Sequence, residues 1–223
     1  MKRPLFLLTI LCLLSMLFPG CIGKVIPYEE RVVTEYYDIK DFSEIVINTP
    51  IKTTIVAGEF YEVSLLTKRW EQDNYHLTKV FDNVLSVRFE ADELEDQFSS
   101  AKLMVRLPEL KNLIIRTAGE TVVSGLASRE TAAITLGDGA ELKLEAGWVD
   151  RLQLSAGYNS FVDGFGLKIG QAEVYSVSNR DISLTVVDKL KINLEGTGNL
   201  LYRGHPQIEI ESSGGAGQVI DAN

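Results

Sequence analysis

From about residue 113 onward the chain repeats one pattern roughly every 19 to 21 residues: an alternating apolar strand, a glycine-centred turn and a second alternating strand. The turns align at residues 117–120, 137–140, 156–159, 177–180, 196–199 and 215–218, with Gly119, Gly139, Tyr158, Asn179, Gly198 and Gly217 in the third position. Gly and Asn are the residues that tolerate positive φ at least steric cost, so the pattern predicts a left-handed backbone position at each turn. Tyr158 breaks it, and Gly157 beside it predicts a turn shifted by one residue.

Between the turns the apolar period is two: Ile134 and Leu136, Leu142 and Leu144, Leu152 and Leu154, Leu190 with Ile192 and Leu194, Ile208 and Ile210. Such alternation buries one face of a strand and wets the other. A unit this short holds two strands, with second turns expected near Gly125, Gly147, Gly164, Asp188 and Gly204. No single unit can bury its own apolar face, so successive coils must stack around one continuous core. The expected fold is all-β: a superhelix of stacked coils, a β-solenoid of 19–21-residue repeats with glycine-centred turns.

Upstream the repeat loosens. Strands are expected around Ile45 and Ile47, from Ile51 to Ile55, and near residues 61–65, 77–81, 85–89 and 103–107. A polar loop around Trp70 and an acidic insertion at residues 91–100 interrupt them.

The first residues carry a targeting signal. Lys2 and Arg3 precede an apolar stretch over residues 5–18, and Pro19-Gly20 bend the chain before Cys21. The stretch is shorter than the ~20 residues that span a bilayer. Leu17-Phe18-Pro19-Gly20-Cys21 resembles a bacterial lipoprotein box, in which the cysteine becomes the lipidated first residue; Phe18 and Pro19 depart from its usual small or aliphatic residues. The chain has two cysteines, and Cys12 lies in the segment that would be removed, which leaves Cys21 without a disulfide partner. The domain plan is therefore a lipoprotein signal peptide at 1–20, a lipidated Cys21 and tether at 21–37, and one β-superhelix at 38–223. Ile22 after the cysteine lacks the acidic residue of the inner-membrane retention signal, so the expected location is exported and lipid-anchored at the outer membrane, facing the periplasm or the surface.

The formal net charge is −9. Nucleic-acid phosphates reward clustered Lys and Arg, and no basic stripe runs along this chain, so a nucleic-acid partner is not expected.

Val105-Arg106-Leu107-Pro108-Glu109-Leu110-Lys111-Asn112-Leu113, the glycine-turn repeats, and the closing Gly196-Thr197-Gly198-Asn199-Leu200-Leu201-Tyr202-Arg203-Gly204-His205-Pro206 together resemble the head GIN domain family of putative autotransporter adhesins. The resemblance runs from about Asp38 to Val219. It implies a right-handed β-helix-like superhelix, a two-sheet β-solenoid of pectin-lyase-like shape with Gly-x-Gly turns, and a role in cell adhesion without an established catalytic residue. The middle of the chain departs from the family pattern, since Tyr158 and Ser178-Asn179 replace Gly-Ser-Gly.

Residue chemistry points the same way. The two histidines, His76 and His205, stand in no metal-ligand spacing, and neither a catalytic residue, a metal site nor a cofactor is expected. An enzymatic alternative would place Asp163, Asp181 and Asp188 with Arg180 and Lys189 on one face, as in a polysaccharide-active β-helix; against it, Asp138, Asp163 and Asp188 fall at turns, where Asp bonds backbone. Flat aromatic rings beside polar groups suit sugars, which makes Trp148, Tyr158 and Trp70 the candidate ligand contacts. The expected partners are a membrane through the lipid anchor, a glycan or a cell-surface or matrix protein, and a second copy of the chain; an envelope scaffold is the third reading, favoured if one end of the superhelix is left uncapped.

Overall fold

The computed structural model describes residues 31–81, 83–90 and 101–223, so the signal segment, Cys21 and the acidic insertion at 91–100 lie outside the described residues. Stacked parallel strands form a β-solenoid of about six turns. In the β/α folds a parallel sheet is covered on both faces and its strands are continuously apolar. Here the strands alternate because only the inner face is packed: β8 (Asn112–Ile115) and β11 (Ala140–Leu144) both alternate intermediate or exposed positions with buried ones.

Two long ladders run the length of the stack. In the first, β8 pairs in parallel with β10 (Ala127–Leu136), which pairs with β12 (Gly147–Ala156), then β13 (Phe161–Ser176), β14 (Ile182–Leu194) and β16 (Gln207–Ser212). In the second, β9 (Gly119–Ser124) is followed by β11, the first residues of β13 and of β14, β15 (Leu200–Arg203) and β17 (Val219–Asp221). The long strands turn a corner on the way between ladders. Trp148 pairs with both Ala127 and Lys168, and Ile169 with Val186, so a short third ladder lies beside the expected two. The pairing offset falls from 21 residues between β8 and β10 to 18 between β14 and β15, a little outside the expected spacing.

Coils do not stack in chain order at the N-terminal end. β2 (Glu44–Ile47) pairs with β8 on one side and β6 (Val84–Phe89) on the other, and β3 (Lys52–Ala57) lies between β9 and β7 (Lys102–Leu107). The first coil of the sequence is thus the second of the stack. Chain between β3 and β7 builds the end cap: β4 (Glu62–Lys68) runs antiparallel to β7, and β5 (Tyr75–Val80) antiparallel to β6. β1 (Val32–Tyr37) adds antiparallel to β4, so six residues expected in the tether form a strand. The expected polar loop at Trp70 is a 3₁₀ segment, Arg69–Asn74, tied to β4 by the Thr67 hydroxyl, which donates to the buried Glu71 carboxylate at 3.0 Å.

One core of mainly aliphatic side chains, with Phe42 and Tyr75 at the N-terminal end, fills the solenoid as far as Leu200. Ile45, Ile55, Leu85, Leu113, Leu184, Ile192 and Leu200 are all fully buried. They recur in the same inward rows of successive coils, which is the physical content of the repeat.

The turns differ from expectation. Among the expected third positions only Gly139 has a left-handed backbone (φ 73°); Gly119, Asn179, Gly198 and Gly217 do not. At the irregular turn the left-handed residue is Asn159 (φ 55°), one place after Tyr158 and not at Gly157. The other left-handed glycines sit at second turns, Gly125, Gly147 and Gly204, whereas Gly164 and Asp188 lie inside continuous strands. Glycine at 196 answers a different need. A Cβ there would fall on the carbonyl oxygen of Ser178 in the coil below, because consecutive turns stack backbone on backbone.

Candidate functional site

Corner residues between the ladders border a shallow, open depression on the lateral surface. Its volume is about 280 Å³, and Trp148, Asp150, Lys168, Gly170, Val187 and Asp188 line most of it. The register explains the grouping: Trp148 stacks on Lys168 one coil on, and register shifts at Ser128/Thr131 and Ile169/Gln171 bulge the strands at this column. Bulges re-aim side chains at an edge or corner. Gly170 keeps the floor open, since a Cβ there would stand 2.7 Å from the Asp150 carbonyl oxygen and 3.4 Å from the Asp188 carboxylate.

Trp148 is 40% exposed and Val187 is equally so, which leaves an aromatic face and an aliphatic patch beside one ammonium and two carboxylates. Lys168 takes no ion pair among the described residues, so its charge is available to a ligand. A flat ring beside hydrogen-bonding groups is the arrangement that a sugar ring can use, with its C–H face on the indole and its hydroxyls on the carboxylates.

Around the corner lies a smaller depression of about 170 Å³ on the wet face of the first ladder, lined by Thr131, Arg151, Gln153, Gln171, Glu173 and Lys191 among others. Lys191 there bridges Glu173 and Glu211, both at 3.0 Å, and these contacts raise its pKa above the ordinary value, hydrogen bonding to Glu173 contributing most. Arg151 takes no ion pair among the described residues. The sequence could have yielded this group: Arg151, Gln153, Gln171, Glu173, Lys189 and Lys191 occupy the outward positions of the period-two pattern, and the coil offset stacks them.

The three sequence candidates are not brought together. Trp148 is at the corner, while Tyr158 is in the turn after β12, 58% exposed, its backbone N–H donating to the Asp138 carboxylate at 3.0 Å. Trp70 is in the 3₁₀ segment of the end cap, 46% exposed, with the Lys68 ammonium 5.8 Å from its ring centre. Cys21 is outside the described residues.

The residues of the enzymatic alternative do not share one site: Asp188 lines the Trp148 depression and Asp163 accepts from the Ser183 hydroxyl, while the other three are held elsewhere. Arg180 pairs with Glu141 at 2.6 Å and lies over the Phe161 ring, Lys189 pairs with Glu209 at 2.7 Å, and Asp181 accepts the backbone N–H of Asn199 at 2.9 Å. His76 faces Glu90 at 3.7 Å on the surface of the cap. Among the described residues no three His, Cys, Asp or Glu side chains converge as a metal site would need. Of the acids expected to bond backbone at turns, Asp138 does so, in the neighbouring coil, accepting the N–H of Tyr158, whereas Asp163 and Asp188 lie inside continuous strands; Asp181 and Asn199 accept the N–H groups of Asn199 and Gln218 one coil on.

The family model described as putative auto-transporter adhesin, head GIN domain, matches residues 41–206. The chain belongs to that family. Solved structures of similar fold include a putative adhesin from Bacteroides fragilis (TM-score 0.69, 15% identity, 87% of this chain and 99% of that one). Another is a putative adhesin from Parabacteroides merdae (TM-score 0.52, 14% identity, 86% of this chain and 97% of that one). At such identities the likeness is one of fold. No curated protein matches the chain. The fold expectation of a β-solenoid and the family resemblance both hold; the family's extent within the chain falls inside the expected 38–219.

Proposed function

We propose that this head GIN domain protein is a non-catalytic binding module of the cell envelope, anchored by a lipid on Cys21 and adhering through the side of its solenoid. The observation that carries the reading is the Trp148 corner, where a half-exposed indole, a free ammonium and two carboxylates border one depression on a rigid frame. Sites of this kind bind glycans by stacking and hydroxyl hydrogen bonds, without a reacting group. The pairing of Arg180 with Glu141 and of Lys189 with Glu209 keeps those two cations in structural contacts and supports binding over turnover.

Family membership supports an adhesive role and an exported location. The lipoprotein-like box at Cys21 supports the anchor, since each buried CH₂ adds about 0.8 kcal/mol and several acyl chains hold a protein where one does not.

The test is a glycan and matrix-protein array probed with the full chain in detergent, run beside a uronate-release assay on acidic polysaccharides. Binding that Trp148→Ala weakens, without uronate release, is expected. Turnover of any polysaccharide would overturn the reading. For the anchor, Cys21→Ser is expected to release the protein from membranes and to end incorporation of a labelled fatty acid; membrane retention without the cysteine would refute it.

A further inference from the structure

The wet face of the second ladder changes character at the N-terminal end, and the change marks a surface separate from the Trp148 corner. Residues directly opposite one another in paired strands project from the same face. On the outer side of β1, β4 and β7, Val32 therefore stands beside Lys68, Thr34 beside Leu66 and Lys102, and Tyr36 beside Ser64 and Met104. Val32, Tyr36 and Met104 are 61%, 71% and 44% exposed. The half-exposed Trp70 joins them through Lys68, whose ammonium lies 5.8 Å from the indole. Among the described residues the later rows of this ladder, from β9 to β17, expose no large apolar side chain. Ion pairs such as Arg180 with Glu141 and Lys143 with Glu145 occupy that stretch instead.

The charge of this face also differs from the rest of the molecule. In a chain of net charge −9, the outward positions of β1, β4 and β7 hold Lys68, Lys102 and Arg106 against one acid, Glu62. Arg106 pairs with that acid at 3.8 Å, whereas Lys68 and Lys102 take no ion pair among the described residues. An apolar stripe thus runs between two available ammonium groups. Its place in the chain bears on what covers it: ten residues lie between Cys21 and Val32, a span below about 40 Å even at full extension.

We infer that this face docks onto the lipid surface that holds the anchor, seating Trp70, Tyr36, Val32 and Met104 at headgroup level and placing Lys68 and Lys102 on anionic headgroups. Trp and Tyr settle at a membrane–water boundary because each has an apolar body and a polar tip. Lysine stems cover apolar surface while the ammonium stays with the polar groups. Apolar burial and attraction to anionic lipid then act together. The choice of occupant rests on the anchor reading at Cys21; the makeup of the face does not. The two long ladders pack on opposite sides of one core, so docking through the second turns the wet face of the first away from the membrane, where an adhesion partner can reach it.

The experiment uses the full chain purified from membranes, with the mass of the peptide that carries Cys21 reporting acylation separately. The chain has two tryptophans, so Trp148→Phe leaves Trp70 as the sole indole and Trp70→Phe leaves Trp148. Vesicles of phosphatidylglycerol and phosphatidylcholine with brominated acyl chains are expected to quench the emission of Trp70 and to leave that of Trp148 unchanged. The double variant Lys68→Glu, Lys102→Glu should remove most of the Trp70 quenching while the unfolding midpoint stays the same, and vesicles of phosphatidylcholine alone should quench less. An unacylated Cys21 with Trp70 still quenched would refute the anchor and sustain the docking face. Trp70 left unquenched, whatever the state of Cys21, would overturn the inference, as would quenching that the charge reversal does not reduce. So would a dimer that shields Trp70 from an aqueous quencher without vesicles, which would make a second copy the occupant.

Discussion

The hydroxyl of the fully buried Ser178 donates a 2.6 Å hydrogen bond to the backbone carbonyl of Ser160, in the coil below. The same oxygen accepts the N–H of Arg180 at 3.0 Å, while the Ser178 N–H is met by the Ser176 hydroxyl at 3.2 Å. One side chain therefore satisfies two backbone groups at a turn too irregular for a regular ladder. Buried polar groups left without a partner each carry a desolvation penalty of about 1–3 kcal/mol. Ser178→Ala is expected to destabilise by about that amount, and Ser178→Thr by less if the hydroxyl keeps its place, as measured by denaturant unfolding.

Glycine at a stacked turn makes a second prediction. A Cβ on Gly196 would overlap the Ser178 carbonyl oxygen and stand 2.7 Å from that residue's N and C atoms, all backbone that cannot move independently. Gly58 offers a contrast, because its nearest neighbour would be the flexible Arg106 side chain at 3.3 Å. Gly196→Ala should destabilise by roughly 3 kcal/mol, at the upper end of the overpacking range. Gly58→Ala should stay within about 0.5 kcal/mol of the parent. Equal unfolding midpoints for the two variants would contradict the stacking account.

These two turns show what could be read in the sequence and what could not. The period of two and the coil spacing follow from local composition, so the all-β solenoid was legible in Ile134, Leu136, Leu190 and Ile192 alone. The reason for each glycine was not, since φ > 0 and close backbone approach select the same residue; Gly139 answers the first need and Gly196 the second. Coil order at the N-terminal end was hidden as well, because an alternating strand such as β2 reads the same whether its neighbour is sequential or not. At the Trp148 corner the indole was legible as an unusual turn residue, whereas Lys168 and Asp188 became its neighbours only through the register.

The open end of the solenoid predicts a gradient of stability along one inward row. Ile192 and Ile210 stand in register in β14 and β16, one fully buried and the other 53% exposed. Ile192→Ala should destabilise by about 2–5 kcal/mol, since the cavity it leaves is enclosed by coils on both sides. Ile210→Ala loses part of the transfer term and leaves no closed cavity, so under about 1 kcal/mol is expected. Chemical denaturation of the two variants side by side checks the ratio.

Acid should loosen that same end first. Hydrogen bonding from the Lys189 ammonium, reinforced by its charge, holds the Glu209 carboxyl below its ordinary value; the backbone and then the side chain of Asn223 do the same for Asp221. A depressed folded-state pKa contributes stability above the unfolded value, and that contribution is lost as pH falls through the folded one. Amide exchange in Gln207–Ser212 and Val219–Asp221 is therefore expected to rise below about pH 4, ahead of the middle coils. Glu209→Gln with Asp221→Asn should flatten the dependence. At the opposite end the sign reverses: burial first, then the hydrogen bond to Glu35 and its charge, raise the Tyr37 phenol above 10.0. Its contribution is complete below that value and is lost as pH rises through the higher folded one, so Tyr37→Phe should remove an alkaline loosening of β1.

Binding at the corner should separate from stability. Trp148 is 40% exposed and Asp188 lines the same depression, so neither side chain holds the core. A stacked aromatic anchor at a binding site is worth about 2 kcal/mol or more, roughly a thirtyfold change in affinity. Trp148→Ala is expected to weaken glycan binding by that factor, Trp148→Phe to keep part of it, and Asp188→Asn to change which sugars bind more than how stable the fold is. Lys168→Gln makes the sharpest comparison, because its ammonium would recognise an acidic sugar and contribute little to a neutral one. If affinity on the array is lost only for carboxylated or sulfated glycans, the free charge at this corner sets specificity. An unchanged array profile in all four variants, with unfolding midpoints also unchanged, would move the adhesive surface away from this corner.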